Sequence, residues 1–449
     1  MRPELAAKYD LRVPRYTSYP TAPHFSPAVG ADRYGQWLAE LPPTTPLSLY
    51  LHIAYCAEMC WFCGCHTKIT RQYAPVADYM DCLWREVDMV AGRLSQRMPA
   101  SHIHFGGGSP TILTPDDFVA TIERLRRRFL VAEDAEIAVE LDPRTADEDY
   151  VKAMAGCGVT RASIGVQDFN PVVQKAINRI QPYEVTAQVI GWLRQYGVPE
   201  INMDLVYGLP HQTADSLIET VDLAVGFKPR RIALFGYAHV PWMKKHQRLI
   251  PEAALPDLSE RWRQYDTAGA RLVEHGYIQV GLDHFALADD EMAEALRENR
   301  LHRNFQGYTT DEASVLLGFG ASGIGSLPQG YVANEGAIHA YKQVIRAGRL
   351  ATTRGVAVSP EDLLRRSLIE RLMCDLSLDV EAVCARFGAD PAQFDAELDG
   401  LAGLEGDGLL TREGRRITMT EEGRPLVRAA CAVFDRYLRA GETRHSKAV

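Results

Sequence analysis

Tyr50-Leu51-His52-Ile53-Ala54-Tyr55-Cys56-Ala57-Glu58-Met59-Cys60-Trp61-Phe62-Cys63-Gly64-Cys65 begins as a short apolar run and ends with four cysteines within ten residues. The run belongs to residues 47–54, which read as a β-strand, and the pattern it starts is repeated down the chain. Further strands are predicted at 101–106, 135–141, 161–166, 200–206 and 231–238. Amphipathic stretches of helical period follow them, near 76–96, 115–130, 147–156, 182–196, 213–226 and 257–275. Several strands are apolar nearly throughout, as in Ile201-Asn202-Met203-Asp204-Leu205-Val206, which suits a sheet covered on both faces. Six βα units joined by right-handed crossovers predict an α/β fold, a partial (β/α)6 barrel, open or closed, with six units rather than eight. Functional groups of such a barrel belong at the C-terminal ends of its strands.

Outward from the barrel, the chain divides by composition. Residues 1–45 are rich in Pro, Tyr and Arg and show no clear helical or strand period, so they read as an arm lying over the active site. The barrel occupies 46–300, with Tyr277 to Phe285 as one further strand. Residues 301–358 hold a polar segment and the glycine-rich run Gly318 to Gly325, and complete the catalytic domain. Residues 359–449 are mainly helical, with a small hairpin at Gly408–Thr411 and Arg415–Thr420 that gives them a winged-helix look. Winged helices often bind DNA, but residues 361–449 carry 13 Lys+Arg against 17 Asp+Glu, the wrong sign for phosphate. A structural cap or substrate lid is the better expectation.

The whole chain has 449 residues, 46% hydrophobic and 24% charged, enough for an ordinary globular core. Its formal net charge of −9 argues against nonspecific binding to nucleic acid or anionic membrane. No stretch reaches the ~18 consecutive apolar residues of a membrane span, and the N-terminus has no signal-peptide core, so a cytoplasmic location is expected. Thiols stay reduced there, and clustered cysteines then point to a metal group rather than to disulfides. Cys56, Cys60 and Cys63 can wrap a loop around a cubane 4Fe-4S cluster with one iron left open. A zinc site with Cys65 as fourth ligand is the rival, although a Cys-x-Cys pair is awkward for a regular tetrahedron. Cys82, Cys157, Cys374, Cys384 and Cys431 are scattered and read as packing residues.

Cys-x-x-x-Cys-x-x-Cys after a first strand resembles the radical S-adenosylmethionine (SAM) superfamily. Longer stretches are similar to the oxygen-independent coproporphyrinogen III oxidase family. They are Arg15-Tyr16-Thr17-Ser18-Tyr19-Pro20, Tyr50 to Ile53, Gly106-Gly107-Gly108-Ser109-Pro110-Thr111, Gly281 to Ala286 and Leu301 to Thr310. The resemblance covers nearly the whole chain. It implies Cys56, Cys60 and Cys63 as cluster ligands and two SAM molecules per chain. Tyr50, Gly107, Glu140 and Ile324 match contacts of the cluster-bound SAM. Phe62, Gly108, Ser109, Gln167, Arg179, Asp204 and Ala238 match contacts of the second. Where the family usually has Thr, this chain has Ser109, which keeps the hydroxyl. Taken alone, Arg179 would read as a solvated helix residue, and Ala238 and Ile324 as core.

The implied reaction is radical decarboxylation of two propionates of coproporphyrinogen III to vinyl groups, giving protoporphyrinogen IX for haem biosynthesis. Tyr50 is the candidate for orienting the reactive centre. Such a polyanionic substrate needs local cations, for which Arg15, His302 and Arg303 are the candidates. A reductase or flavodoxin-type protein is the expected electron donor, and the chain is expected to be a monomer. The alternative is a haem-carrying relative without oxidase activity; such carriers typically lack the Arg15–Pro20 arm and the His302–Thr310 segment. Cys65 keeps two open roles, packing or redox.

Overall fold

A computed structural model describes residues 3–9 and 13–438. Its centre is a twelve-stranded sheet. Six strands form the βα repeat: β1 (Leu47–Ile53), β2 (Pro99–Gly107), β3 (Leu130–Leu141), β4 (Arg161–Gln167), β5 (Glu200–Tyr207) and β6 (Arg231–Gly236). The helices that follow them are α1 (Ala74–Ala91), α2 (Pro115–Arg128), α3 (Glu148–Gly156), α4 (Tyr183–Gln195), α5 (Ala214–Gly226) and α6 (Leu258–Glu274). Neighbours from β1 to β6 pair in parallel and in sequence order. β1 and β6 do not meet, so the barrel is open, as a (β/α)6 half-turn requires.

Both edges of the parallel set are extended. Beyond β6 lie β7 (Tyr277–Val280) and β8 (His284–Leu287), in the order β6-β8-β7, all antiparallel. The single strand expected over 277–285 is therefore a hairpin, broken where Gly281 takes φ +58°. Beyond β1 lie β9 (Val315–Phe319), β10 (Ile324–Leu327), β11 (Gly330–Asn334) and β12 (Thr352–Ala357). β9 runs parallel to β1, and the glycine-rich run is the reversal between β9 and antiparallel β10. A Cβ on Gly318 would stand 2.3 Å from the Ile324 carbonyl oxygen, so that reversal needs glycine there.

Alternation along β1 sorts its side chains. Leu49, Leu51 and Ile53 are fully buried in the main core, while Tyr50 and His52 share the opposite, inner face. Helix N-caps are made locally: Thr114 and Thr213 accept from the backbone N–H groups of Asp117 and Ser216 at the starts of α2 and α5. In the arm, a helix at Ala31–Ala39 buries Tyr34, Trp37 and Leu38, contrary to the expectation of no periodic structure there. Those three apolar positions carry its whole period, and the surrounding Pro and Gly conceal it.

The C-terminal region starts with the helix Pro360–Asp375, held by a Ser359–Asp362 capping box. A three-stranded sheet of Ser377–Asp379, Arg416–Met419 and Leu410–Glu413 matches the expected hairpin and adds one strand to it. One continuous core runs from Leu5 and Tyr19 in the arm, through the barrel, to Phe434. No helix among the described residues is long and apolar enough to cross a membrane.

Candidate active site

The cysteine loop leaves β1 at its C-terminal end and is closed at its base. Tyr55–Cys56 pairs in parallel with Lys68–Ile69, and Thr70 N–H donates to the Cys56 carbonyl at 3.0 Å. Two other segments hold it from outside. On one side Trp61 N–H bonds the Ile177 carbonyl (2.9 Å), and Asn178 donates to the Met59 carbonyl (2.8 Å). On the other, Gln247 donates to the Phe62 carbonyl (3.0 Å), His246 bonds the Cys63 carbonyl (2.8 Å), and Lys244 donates to the Cys65 carbonyl (3.0 Å).

Each candidate sulfur has a donor. Thr67 Oγ1 lies 3.2 Å from Cys56 Sγ. Arg144 and Arg179 reach Cys60 Sγ at 3.3 and 3.5 Å. Cys65 N–H donates to Cys63 Sγ at 3.3 Å, and the Cys65 thiol holds the Cys63 thiol down to about 6. Burial pushes the Cys56 thiol up to about 12 in the free loop. Among the described residues no three His, Cys, Asp or Glu side chains converge on one point as a single metal ion requires. Three thiolates, each with its own donor, are a ligand set that fits an iron–sulfur cluster.

The strand ends next to the loop bring most of the predicted residues together. Tyr50 on β1 stacks on His104 of β2, centroids 5.8 Å apart, and its hydroxyl bonds His52 Nδ1 at 3.1 Å. His104 Nε2 reaches Glu140 Oε1 on β3 at 3.2 Å. The space a side chain would need at Gly106–Gly108 is taken by protein atoms. A Cβ on Gly106 would meet Glu140 Oε1 at 2.7 Å, one on Gly107 the His52 ring at 2.7 Å, and one on Gly108 the Tyr55 carbonyl at 2.5 Å. Ser109 is buried, its hydroxyl 2.6 Å from that of Thr111.

Arg179 is buried rather than solvated. It follows the short helix Pro171–Ala176 and donates to the Gly165 carbonyl (2.6 Å) and to Asp142 (3.4 Å). Burial opposes the charge on Asp142, yet Arg179 and Arg144 hold its carboxyl down to about 2. Gln167 ends β4 at φ +71° with its amide beside Gly165. Asp204 lies opposite Gly165 on β5; burial and then the charge of Glu140 push its carboxyl up to about 7. Phe62 packs partly buried with Val173, Ile177, Leu209 and Ile250. Ile324 starts β10 beside Phe25 and Tyr331, in a satellite cluster beyond β1.

A cavity of about 610 Å³ opens at the C-terminal ends of β5 and β6. That is the size of ordinary small-molecule sites. Its walls are aromatic and aliphatic, with Tyr207, Phe235, Tyr237 and Tyr265 prominent, and Ala238 and Arg15 line it. Arg303 also lines it, from the hairpin His302–Asn304/Gly307–Thr309. His302 is not among the lining residues; it pairs with Glu370 of the C-terminal region at 3.2 Å. Arg261 and Arg428 line the cavity too and were not singled out from the sequence. Gln247 joins the cavity to the cysteine loop, its amide donating to both the Phe62 carbonyl and the Ala238 carbonyl (3.2 Å). His104, Thr67, Asp142 and Arg144 were likewise missed, although Asp142 and Arg144 directly follow a predicted strand end, where such groups belong.

Comparison with known proteins agrees with this geometry. The model of the radical SAM superfamily matches residues 50–224, and that of the HemN C-terminal domain matches 358–426. The chain is 51% identical, over all of both chains, to the oxygen-independent coproporphyrinogen III oxidase of Bradyrhizobium diazoefficiens. It is 44% identical to the anaerobic coproporphyrinogen III oxidase 1 of Cereibacter sphaeroides, over 98% of this chain and 97% of that one. The solved structure of the Escherichia coli coproporphyrinogen III oxidase, a radical SAM enzyme, superposes with a TM-score of 0.90 at 38% identity, covering 95% of this chain and all of the other. An open six-unit barrel, a three-cysteine loop at its mouth and full-length kinship lead to one conclusion: this chain belongs to the oxygen-independent coproporphyrinogen III oxidase family of radical SAM enzymes.

Proposed function

We infer that the chain converts two propionate side chains of coproporphyrinogen III to vinyl groups without oxygen, giving protoporphyrinogen IX in haem biosynthesis. The observation that carries this is the wall shared by the cysteine loop and the cavity, where one side chain, Gln247, holds Phe62 and Ala238 together. It sets a radical-generating centre against a site large enough for a tetrapyrrole. The haem-carrying alternative has no observation in its favour.

Cys56, Cys60 and Cys63 would hold a 4Fe-4S cluster, to which SAM would bind. Bound there, a 4Fe-4S cluster and SAM would supply the one-electron radical chemistry that removes hydrogen from a propionate β-carbon. The chain's residues position and shield that chemistry. Thr67, Cys65, Arg144 and Arg179 donate to the three sulfurs and so stabilise their charge. Tyr50, Gly107, Glu140 and Ile324 hold the cluster-bound SAM. Glu140 is kept in place by His104 and accepts from the paired ribose hydroxyls.

Phe62, Gly108, Ser109, Gln167, Arg179, Asp204 and Ala238 hold a second SAM. Tyr50, oriented by His52, is the residue nearest in role to a catalytic group. Arg15 and Arg303 bind substrate carboxylates, and His302, through Glu370, positions the hairpin that carries Arg303. A reductase or flavodoxin-type protein supplies the electron, to a cytoplasmic monomer.

The test is analytical. After anaerobic reconstitution, the wild-type protein should be brown and hold about four iron and four sulfide per chain. Cys60→Ser should lose colour, iron and activity to background. A colourless zinc protein, or a Cys60→Ser variant with its iron intact, would overturn the assignment.

A further inference from the structure

Two segments clasp the cysteine loop from outside, 171–180 and 240–250. Asn178 of the first bonds the Met59 carbonyl, and Lys244 and His246 of the second bond those of Cys65 and Cys63. Trp61, Phe62, Val173, Ile177 and Ile250 share one small apolar cluster, so the loop and both segments pack as a unit and their outer surfaces adjoin. Val172 and Ile180 on one side, and Met243 and Leu249 on the other, are each more than half exposed. Large apolar side chains exposed together mark an interaction surface, as single ones do not. None of the four lines the cavity; Trp242, also exposed, does line it and belongs to its mouth.

The same segments are basic. Residues 171–180 and 240–250 contain five Lys or Arg and no Asp or Glu, in a chain of net charge −9. Two of the five are used internally, Arg179 on the Gly165 carbonyl and Lys244 on the Cys65 carbonyl. Lys175, Lys245 and Arg248 are exposed, with no carboxylate partner among the described residues. The acids nearest in sequence are already engaged: Glu58 by Arg71 at 3.3 Å, and Glu252 by His239 at 3.4 Å. Apolar side chains set among unpaired cations fit an acidic protein surface. An anionic membrane fits less well, because it meets the field of the whole acidic chain, whereas a small protein meets the local patch.

We propose that this face docks an acidic, flavin-carrying protein that supplies the electron. It rests on the one-electron reaction assigned above. One electron passes from the donor's reduced flavin, which is oxidised, to a cluster held in the loop, which is reduced, and no atom is transferred. Met243, Lys245, Arg248 and Leu249 lie outside the cavity lining, so the donor docks with substrate in place. Electron-transfer complexes are small and steered by charge, which suits a few apolar side chains rimmed by lysine and arginine.

The test titrates flavodoxin, an acidic FMN protein, into the reconstituted full chain by calorimetry at low and high salt. Wild type should bind at low salt and lose affinity as salt rises. The double variant Lys245→Glu/Arg248→Glu, and separately Met243→Asp, should each weaken binding by roughly tenfold or more. Lys152→Glu/Arg349→Glu makes the same charge change at exposed positions outside the two segments and should bind like wild type. With substrate present, methionine formation driven by dithionite should be equal in all of them, and that driven by reduced flavodoxin should fall only in the patch variants. Patch variants that bind like wild type would overturn the docking face alone. So would a wild type that ignores flavodoxin, whether or not it takes up anionic vesicles or a second copy of itself. A wild type that forms no methionine even with dithionite would overturn the reaction as well.

Discussion

Asp204 shows how one residue's position sets its chemistry. It sits on the inner face of β5 at a strand end, and burial with the nearby charge of Glu140 raises its carboxyl to about 7, while Arg179 and His104 act in the other direction. The carboxylate form therefore grows as pH rises through about 7. If it accepts hydrogen bonds from SAM, binding should tighten between about pH 6 and about pH 8. Asp204→Asn should remove that dependence and weaken binding about tenfold at the upper end. Equilibrium dialysis of SAM against reconstituted protein measures both, and a variant with the wild-type pH profile would exclude Asp204. At this scale much of the site was readable, because the cysteines, Glu140, Gln167 and Asp204 fall at predicted strand ends. What was not readable came from partners distant in sequence. Arg179 looks solvated until the chain folds it onto Asp142 and Cys60, and Arg261 looks like one more polar residue of an amphipathic helix.

Among the elements, the βα repeat was legible and its turns were not. All six barrel strands and their helices lie within a few residues of the expected spans, because a buried parallel strand must be apolar on both faces. The 277–287 hairpin and the β9–β10 reversal were missed in detail, since one glycine conformation decides each and no periodicity signals it. The Gly106–Gly108 turn is the most constrained of these. Gly107 has φ +110°, and a side chain there would strike the His52 ring. Gly107→Ala should cost about 2 kcal/mol or more in urea denaturation, from backbone strain and the clash together. A variant as stable as wild type would show that β1 and β2 do not pack as described.

Viewed as a whole, the molecule is laced together from its ends. Lys8 and Tyr9 bond Asp407, Tyr16 bonds Asp435, and Arg436 N–H donates to Tyr19, so the arm and the C-terminal region meet over the barrel. Tyr308 donates to the Met373 carbonyl and Arg371 to the Leu301 carbonyl, which ties the substrate hairpin to the same region. Calorimetry should accordingly give a single unfolding transition for the full chain. A chain ending at residue 358 should be insoluble or bind a hydrophobic dye; two separate transitions would contradict this lacing. The central claim is that a cluster loop and a tetrapyrrole cavity work as one site. It is tested by incubating reconstituted protein anaerobically with coproporphyrinogen III, SAM and a reductant, and measuring tetrapyrrole and methionine together. The account predicts protoporphyrinogen IX with two methionines formed for each molecule made. No tetrapyrrole product, or product without methionine, would contradict it.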